Sequence, residues 1–399
     1  MKRSERRILT THTGSLPRSD DLLELLLRAN QGEDVDQATL AEQLASDTEY
    51  VVRRQLEAGI DVGSDGELPR IAFHMYVKDR MGGFGGRTGR GTFSDVANFP
   101  KWASLKLGLS KVDDEDSDNL TQTAEAPAAV GRMEYDPELT AVRTELSLFA
   151  DALERTTDAG AFEETFVTAA TPGIVTTTLT LAEDNPVYAS DREYIFAVAD
   201  ELKAEYDYVV SQGHVLQLDA PDLAMERMIM FQHEPLSAFL ERVELHIEAM
   251  NRALVDIPPD RVRLHACWGN YDGPHVDDVE LAEVLPLLYQ AQVGGLSLAC
   301  ANPRHQHDWK VFRRLPVPDD LLLIVGVIDV TTNYVEHEEV VADRICQFAE
   351  VIDPHRLLAS TDCGFGTIAG YVLVAEDVVW PKLSALARGA EIASERLFG

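Results

Sequence analysis

Apolar positions along this chain alternate between two spacings. Short runs of β-branched and aliphatic residues, closed by glycine or proline, give way to longer stretches in which leucine, valine and alanine recur every three or four places. The short runs predict strands near 7–13, 60–64, 162–169, 214–219, 262–267, 295–299, 321–328 and 356–361. The longer stretches predict helices from residue 22, over 36–58, 137–159, 191–212, 235–254, 277–291, 336–352 and 383–396, with Gly59 and Gly160 as stop signals. The 321–328 run is almost wholly apolar, as a strand covered on both faces should be. Eight strands, each followed by helix or loop, favour an α/β fold of the (β/α)8 TIM-barrel type over an open doubly wound sheet.

The chain has 399 residues, which suits one barrel (1–399) with an insertion at about 70–135. There the pattern loosens into the glycine-rich 81–91 stretch and the acidic Asp113-Asp114-Glu115-Asp116, and the expectation is a lid-like segment after strand two, folded over the barrel mouth. Acidic residues outnumber basic ones 68 to 35, a net charge of −33 that repels nucleic acid and anionic membranes, so the expected partners are small molecules. No apolar run has the roughly 18 residues of a membrane helix, and the first residues lead straight into strand one; a cytoplasmic location is expected. Cys267, Cys300, Cys346 and Cys363 are too scattered for a disulfide framework and are expected as thiols.

Candidate chemistry gathers at strand ends. His265 and Cys267 sit two apart, so on a strand both point to one face. Cys363, just beyond strand eight, reaches the same rim if the barrel closes. Two thiolates and one imidazole make a zinc site with the fourth position open. Glu67 and Asp219 also fall at strand C-termini, where such barrels carry their chemistry. Taken singly, His265 reads as a core histidine, Cys267 and Cys346 as packing residues, and Asp219 as a turn cap. Arg80, Arg87 and Arg90 read as a solvated loop or as contacts for an anionic donor tail, and His275 as a turn residue or a partner of the metal ligands.

Thr13-Gly14-Ser15-Leu16-Pro17-Arg18, Leu216-Gln217-Leu218-Asp219, His265-Ala266-Cys267-Trp268-Gly269-Asn270-Tyr271, Asn302-Pro303-Arg304-His305 and Asp362-Cys363-Gly364 together resemble the catalytic C-terminal barrel of the cobalamin-independent methionine synthase family. The resemblance spans nearly the whole chain and is that of a short, single-barrel member, a group that includes relatives of the epoxyalkane:coenzyme M transferases. It implies Zn2+ held by His265, Cys267 and Cys363, a substrate loop at Gly14 and Ser15, and an amino-group site at Glu67 and Asp219. Two positions depart from the family. Its glutamate ligand falls on Ala299 and its acid histidine on Thr331, which leaves His305, His307 and His337 as candidate acids and Cys300 as a ligand only through a bulge.

The implied activity is methyl transfer from a small-molecule donor to the sulfur of homocysteine. The alternatives are alkylation of another small thiol such as coenzyme M, or a non-catalytic ligand-binding relative. Zinc binds thiolate in place of thiol and so keeps the sulfur nucleophilic at neutral pH.

Overall fold

In the computed structural model, residues 1–107 and 126–399 are described; the acidic Asp113–Asp116 stretch lies outside them. Ten strands run as β1 (Leu9–Thr10), β2 (Val62–Gly63), β3 (Met81–Thr88), β4 (Ala126–Tyr135), β5 (Glu164–Ala170), β6 (Val215–Asp219), β7 (Val262–Ala266), β8 (Gly295–Leu298), β9 (Leu322–Ile328) and β10 (Leu357–Thr361). Eight of them form one parallel sheet in the order β1-β10-β9-β8-β7-β6-β5-β2. A parallel bridge between Thr11 and Val62 joins its two ends, and the Thr11 hydroxyl donates to the Val62 carbonyl at 2.9 Å. The molecule is a (β/α)8 TIM barrel.

The helices follow the apolar pattern. They are α1 (Asp20–Asn30), α2 (Gln37–Glu57), α3 (Ser94–Asn98), α4 (Pro100–Leu107), α5 (Thr140–Arg155), α6 (Pro172–Thr178), α7 (Asp191–Ser211), α8 (Leu236–Ala253), α9 (Leu281–Leu288), α10 (Glu338–Ala349) and α11 (Glu376–Phe398). Several begin on a side-chain cap: Ser19, Asp36 and Ser190 accept from backbone N–H groups of the first turns of α1, α2 and α7. The closing helix starts earlier than its pattern suggests and runs through Pro381, because Val379, Trp380, Leu383 and Leu386 bury one continuous face. Among the described residues no helix is long and apolar enough to cross a membrane.

The barrel interior is layered. Leu9, Val62, Phe166, Val215, Leu322, Ile324 and Leu358 form an apolar plug of their own. The buried polar residues Thr11, Gln217 and Arg263 bond to one another across the barrel: Arg263 Nε donates to Gln217 Oε1 at 2.7 Å and its Nη1 to the Thr11 hydroxyl at 3.1 Å. The Arg263 guanidinium also stacks 3.6 Å from the Phe166 ring centre. This floor is filled, which leaves the strand C-termini as the place for a ligand.

The 81–91 stretch, expected to be irregular, departs from that expectation. β3 and β4 pair antiparallel as a two-stranded ribbon whose register shifts between Gly82 and Phe84. Of the three arginines expected on a solvated loop, Arg87 is exposed, whereas Arg80 and Arg90 turn inward. Arg80 bonds buried Glu145 and lies 3.4 Å from Glu205, while Arg90 pairs with buried Glu226. These internal pairs displace both solvent and any donor tail from Arg80 and Arg90. The short helices α3, α4 and α6 follow no clear apolar period and depend on tertiary packing.

Candidate metal centre

β6 and β7 are in register with Asp219 beside His265. Side chains two apart on β7 share a face, so His265 and, one residue past the strand, Cys267 enter the barrel mouth together. Cys363 arrives from beyond β10. Donor atoms of His265, Cys267 and Cys363 all lie within 4.8 Å of one another, and the three residues are buried. Among the described residues this is the group with metal-ligand geometry.

The Asp362-Cys363-Gly364 turn is held from every side. The Asp362 carboxylate accepts from the backbone N–H groups of Cys300 at 2.8 Å, Ala301 at 2.7 Å and Asn302 at 3.0 Å, joining the β10 end to the β8 end. Burial drives its pKa up to about 7 against the pull of those donors. The Thr361 hydroxyl donates to the Cys363 carbonyl at 2.8 Å, and Asn270 Nδ2, from the Cys267 loop, donates to the Gly364 carbonyl at 2.9 Å. A Cβ on Gly364 would stand 2.0 Å from Ser15 Oγ, so no other residue lets the first and last loops meet here.

Two features mark the donor set as fit for a metal. His265 is buried and its Nδ1 has no hydrogen-bond partner, so the chain itself leaves this ring incompletely satisfied. The two sulfurs also compete for a proton. The hydrogen bond from Cys363, followed by that from His265, holds the Cys267 thiol well below the ordinary range, while the bond to Cys267 and burial push Cys363 up. Burial lowers the His265 pKa, but its hydrogen bond to Cys267 and the charge there win and raise it. Zinc bonds of about 2.0–2.3 Å place donors on a tetrahedral ion about 3.5 Å apart, so small side-chain shifts would close this set on one.

The β7–β8 register pairs His265 with Ser297; two residues on, Ala299 lies level with Cys267 and has no donor. Cys300 is buried, stands outside the donor group, and has its thiol pKa raised by burial.

Asp219 is close enough to both sulfurs to feel Cys267 and to act on Cys363, and Glu67 is close to Asp219. Both carboxylates are buried; burial raises Glu67 to about 8, with the charge of Asp219 adding to the rise. Burial raises Asp219 to about 6, less because His265 and Gln217 pull it down. Glu67 occupies the left-handed region at φ 57°, a strained conformation of the kind that clusters at functional sites. Gly14, at φ 126°, makes room for it: a Cβ there would lie 2.3 Å from Glu67 Oε1. Arg18 ties the three surrounding loops by donating to the carbonyls of Glu67 at 2.9 Å, Leu68 at 3.0 Å and Gly366 at 2.8 Å. Arg18, Gln217, Asn270 and Asp362 all lie within the motifs above, but their bracing roles depend on distant carbonyls and N–H groups that no local pattern reveals.

None of the candidate acids belongs to the donor group, and their environments differ. His305 is buried with a carboxylate on each ring nitrogen, Asp308 at 3.0 Å and Asp278 at 2.7 Å. His307 is half exposed, 3.5 Å from Asp308. His337 is 68% exposed and caps α10, its Nδ1 accepting from the Glu339 N–H at 3.2 Å. Thr331 donates its hydroxyl to Asp329 at 2.8 Å at the end of β9.

Fold and site define a (β/α)8 barrel with a thiolate-rich donor set and two unpaired carboxylates at its mouth. Along nearly its whole length the chain is similar in sequence to methionine synthases. It is 24% identical over 393 residues to a methionine synthase of Sulfolobus acidocaldarius, covering 97% of this chain and 93% of that protein. It is 28% identical over 176 residues to a 2-hydroxypropyl-CoM lyase of Xanthobacter autotrophicus, covering 38% of this chain and 45% of that one. The fold matches a B12-independent methionine synthase of a Shewanella species, solved with selenomethionine, at TM-score 0.68 and 20% identity over 98% of this chain and 99% of that one. No protein-family model matches the chain.

Proposed function

We propose that this chain is a zinc-dependent methyltransferase that moves a methyl group from a small-molecule donor to the sulfur of homocysteine, giving methionine. The observation that carries the reading is the pairing of two sites: a two-sulfur, one-nitrogen donor set, and two buried carboxylates that stay raised because burial outweighs the pull of Arg70 on both. An amino thiol has the two ends that such a mouth accepts.

His265, Cys267 and Cys363 would hold zinc, which supplies a Lewis acid that lowers the pKa of an arriving thiol and keeps its sulfur nucleophilic at neutral pH. The chain's own residues do the rest. Glu67 and Asp219 take the substrate ammonium, and its arrival lets both ionise, because a cation between two carboxylates removes their repulsion. Gly14 and Ser15 line the loop beside it. Burial of all these groups excludes water from the sulfur's path. With Ala299 in place of a fourth donor, one position stays open for the substrate thiol. Of the candidate acids, His307 is left to protonate the departing donor, since both ring nitrogens of His305 are taken by carboxylates.

A coenzyme M reading is disfavoured by the same carboxylates, since they repel a sulfonate. A non-catalytic role is disfavoured by the convergence of three donors from two distant segments. The whole of 1–399 is read as one catalytic unit, the segment at about 70–135 as an insertion at its mouth, and its four free cysteines as suited to the cytoplasm. The test is to offer homocysteine, coenzyme M and des-amino homocysteine to zinc-loaded protein and follow proton release. Homocysteine should release more than one proton per zinc at neutral pH, one from its thiol and the rest mainly from Glu67, whose raised carboxyl ionises as the ammonium arrives, and the other two thiols no more than one. Equal release from all three removes the amino-group site, and a protein that takes up no zinc removes the reading altogether.

A further inference from the structure

Cys267 lies one residue beyond the last ladder position of β7, so sheet hydrogen bonds do not fix it. The next residue is anchored instead. The Trp268 indole stacks on the His305 imidazole, centres 3.9 Å apart and planes 20° from parallel, and its Nε1 donates to the Val279 carbonyl at 2.7 Å. With carboxylates on both nitrogens, His305 satisfies both only as an imidazolium, which donates twice. Burial lowers its pKa, but Asp278 and Asp308 overcome this and raise it to about 9.

Asp278, whose side chain is fully buried, also holds the far end of the same loop. Its Oδ2 lies 3.1 Å from His275 Nδ1, and the His275 backbone N–H donates to Asp95 Oδ2 at 2.7 Å. The Tyr271 hydroxyl donates to that same Asp95 oxygen at 2.6 Å. Besides these carboxylates, the titratable groups facing the stack are His275 and His307. One buried carboxylate thus pins both the ring under Trp268 and the turn that follows it.

We propose that the His305 imidazolium, clamped by Asp278 and Asp308 against the Trp268 indole, is a positioning element that holds the Cys267 sulfur at the metal site. The proposal rests on the metal reading above and assigns His305 a fixed charge in place of a mobile proton. Removing either partner of the clamp frees the Cys267–Trp268 peptide and weakens metal binding without removing a ligand.

The experiment measures zinc affinity by chelator competition in the full chain, in Asp278→Asn and in His305→Gln, together with the thiolate-to-metal absorption of each cobalt-loaded protein. Trp268 emission, isolated by difference from Trp268→Phe, is followed between pH 6 and 10. Both clamp variants should lose about tenfold in affinity, the low end of the effect of groups that orient metal ligands, and show a shifted absorption band. Trp268 emission in the unmutated protein should stay quenched until His305 titrates near pH 9. Unchanged affinity in a folded Asp278→Asn or His305→Gln protein overturns the proposal. So does an emission midpoint near the ordinary imidazole value of about 6.5, a result that needs no clamp variant to fold. If the unmutated chain binds no zinc, the functional reading fails; if it binds zinc and the variants bind equally well, the positioning role alone fails.

Discussion

Two buried clusters of charge meet at Thr168 of β5, and they differ in one respect. In one, Arg70 and Arg80 face Glu145 and Glu205, both guanidiniums stack on Tyr76, and the hydroxyls of Tyr76 and Tyr135 donate to Glu205. Each carboxylate there meets a cation. Glu145 is accordingly held below the usual range by the two arginines in spite of its burial. At the mouth, Glu67 and Asp219 are just as buried, yet the nearest basic groups do not balance them and both are pushed upward. A buried charge that finds its partner within the chain is architecture, whereas one that does not is a place for something brought from outside.

If that contrast is right, the two clusters should fail in different ways. The largest effect is expected at the sulfurs: Cys363→Ala or Cys267→Ala should abolish stoichiometric zinc and cut turnover by at least about a hundredfold, while thermal unfolding of the metal-free protein changes little. Metal analysis alongside steady-state kinetics measures both. In the arginine cluster the order reverses. Glu145→Ala leaves two arginines buried beside one remaining carboxylate and should destabilise by about 3–5 kcal/mol, read from denaturant unfolding, with zinc content per folded molecule unchanged.

Glu67→Gln sharpens the comparison further. A carboxylate whose folded pKa is raised lends its stability below the unfolded value of about 4.3 and loses it as pH rises through about 8. The metal-free variant should therefore melt above the unmutated protein at pH 8, and the gap should close as pH falls towards 4. The same substitution should raise KM for homocysteine by about tenfold, since one charge of the ammonium site is gone. The smallest effect is expected at His337. As an exposed helix cap, its change to Ala should lower Tm by no more than about 2 °C and leave turnover unaltered; a large fall in turnover would return it to the list of acids.

Much of the architecture was open to inspection in the order of residues. The run 322–328 is legible as a central strand because both its faces are covered, and α2 and α7 are legible because their caps and apolar stripes agree. β1 and β2 were overestimated in length, since each makes only a two-residue ladder and the barrel closes there through a single bridge. The ribbon β3–β4 was missed because glycines at 82, 83, 85 and 86 carry no side chain to show a period, and its pairing joins segments distant in sequence.

The site divides in the same way. The two-residue spacing of His265 and Cys267, and the vacancy at Ala299, are properties of the sequence, because alternation along a strand is local backbone geometry. That Cys363 reaches them, that Glu67 meets Asp219 with no cation that balances the pair, and that Arg80 and Arg90 turn inward were decided by the closed barrel alone. Such pairings join residues tens to hundreds of positions apart, and only the fold's geometry sets the burial that makes one carboxylate easy to ionise and another hard.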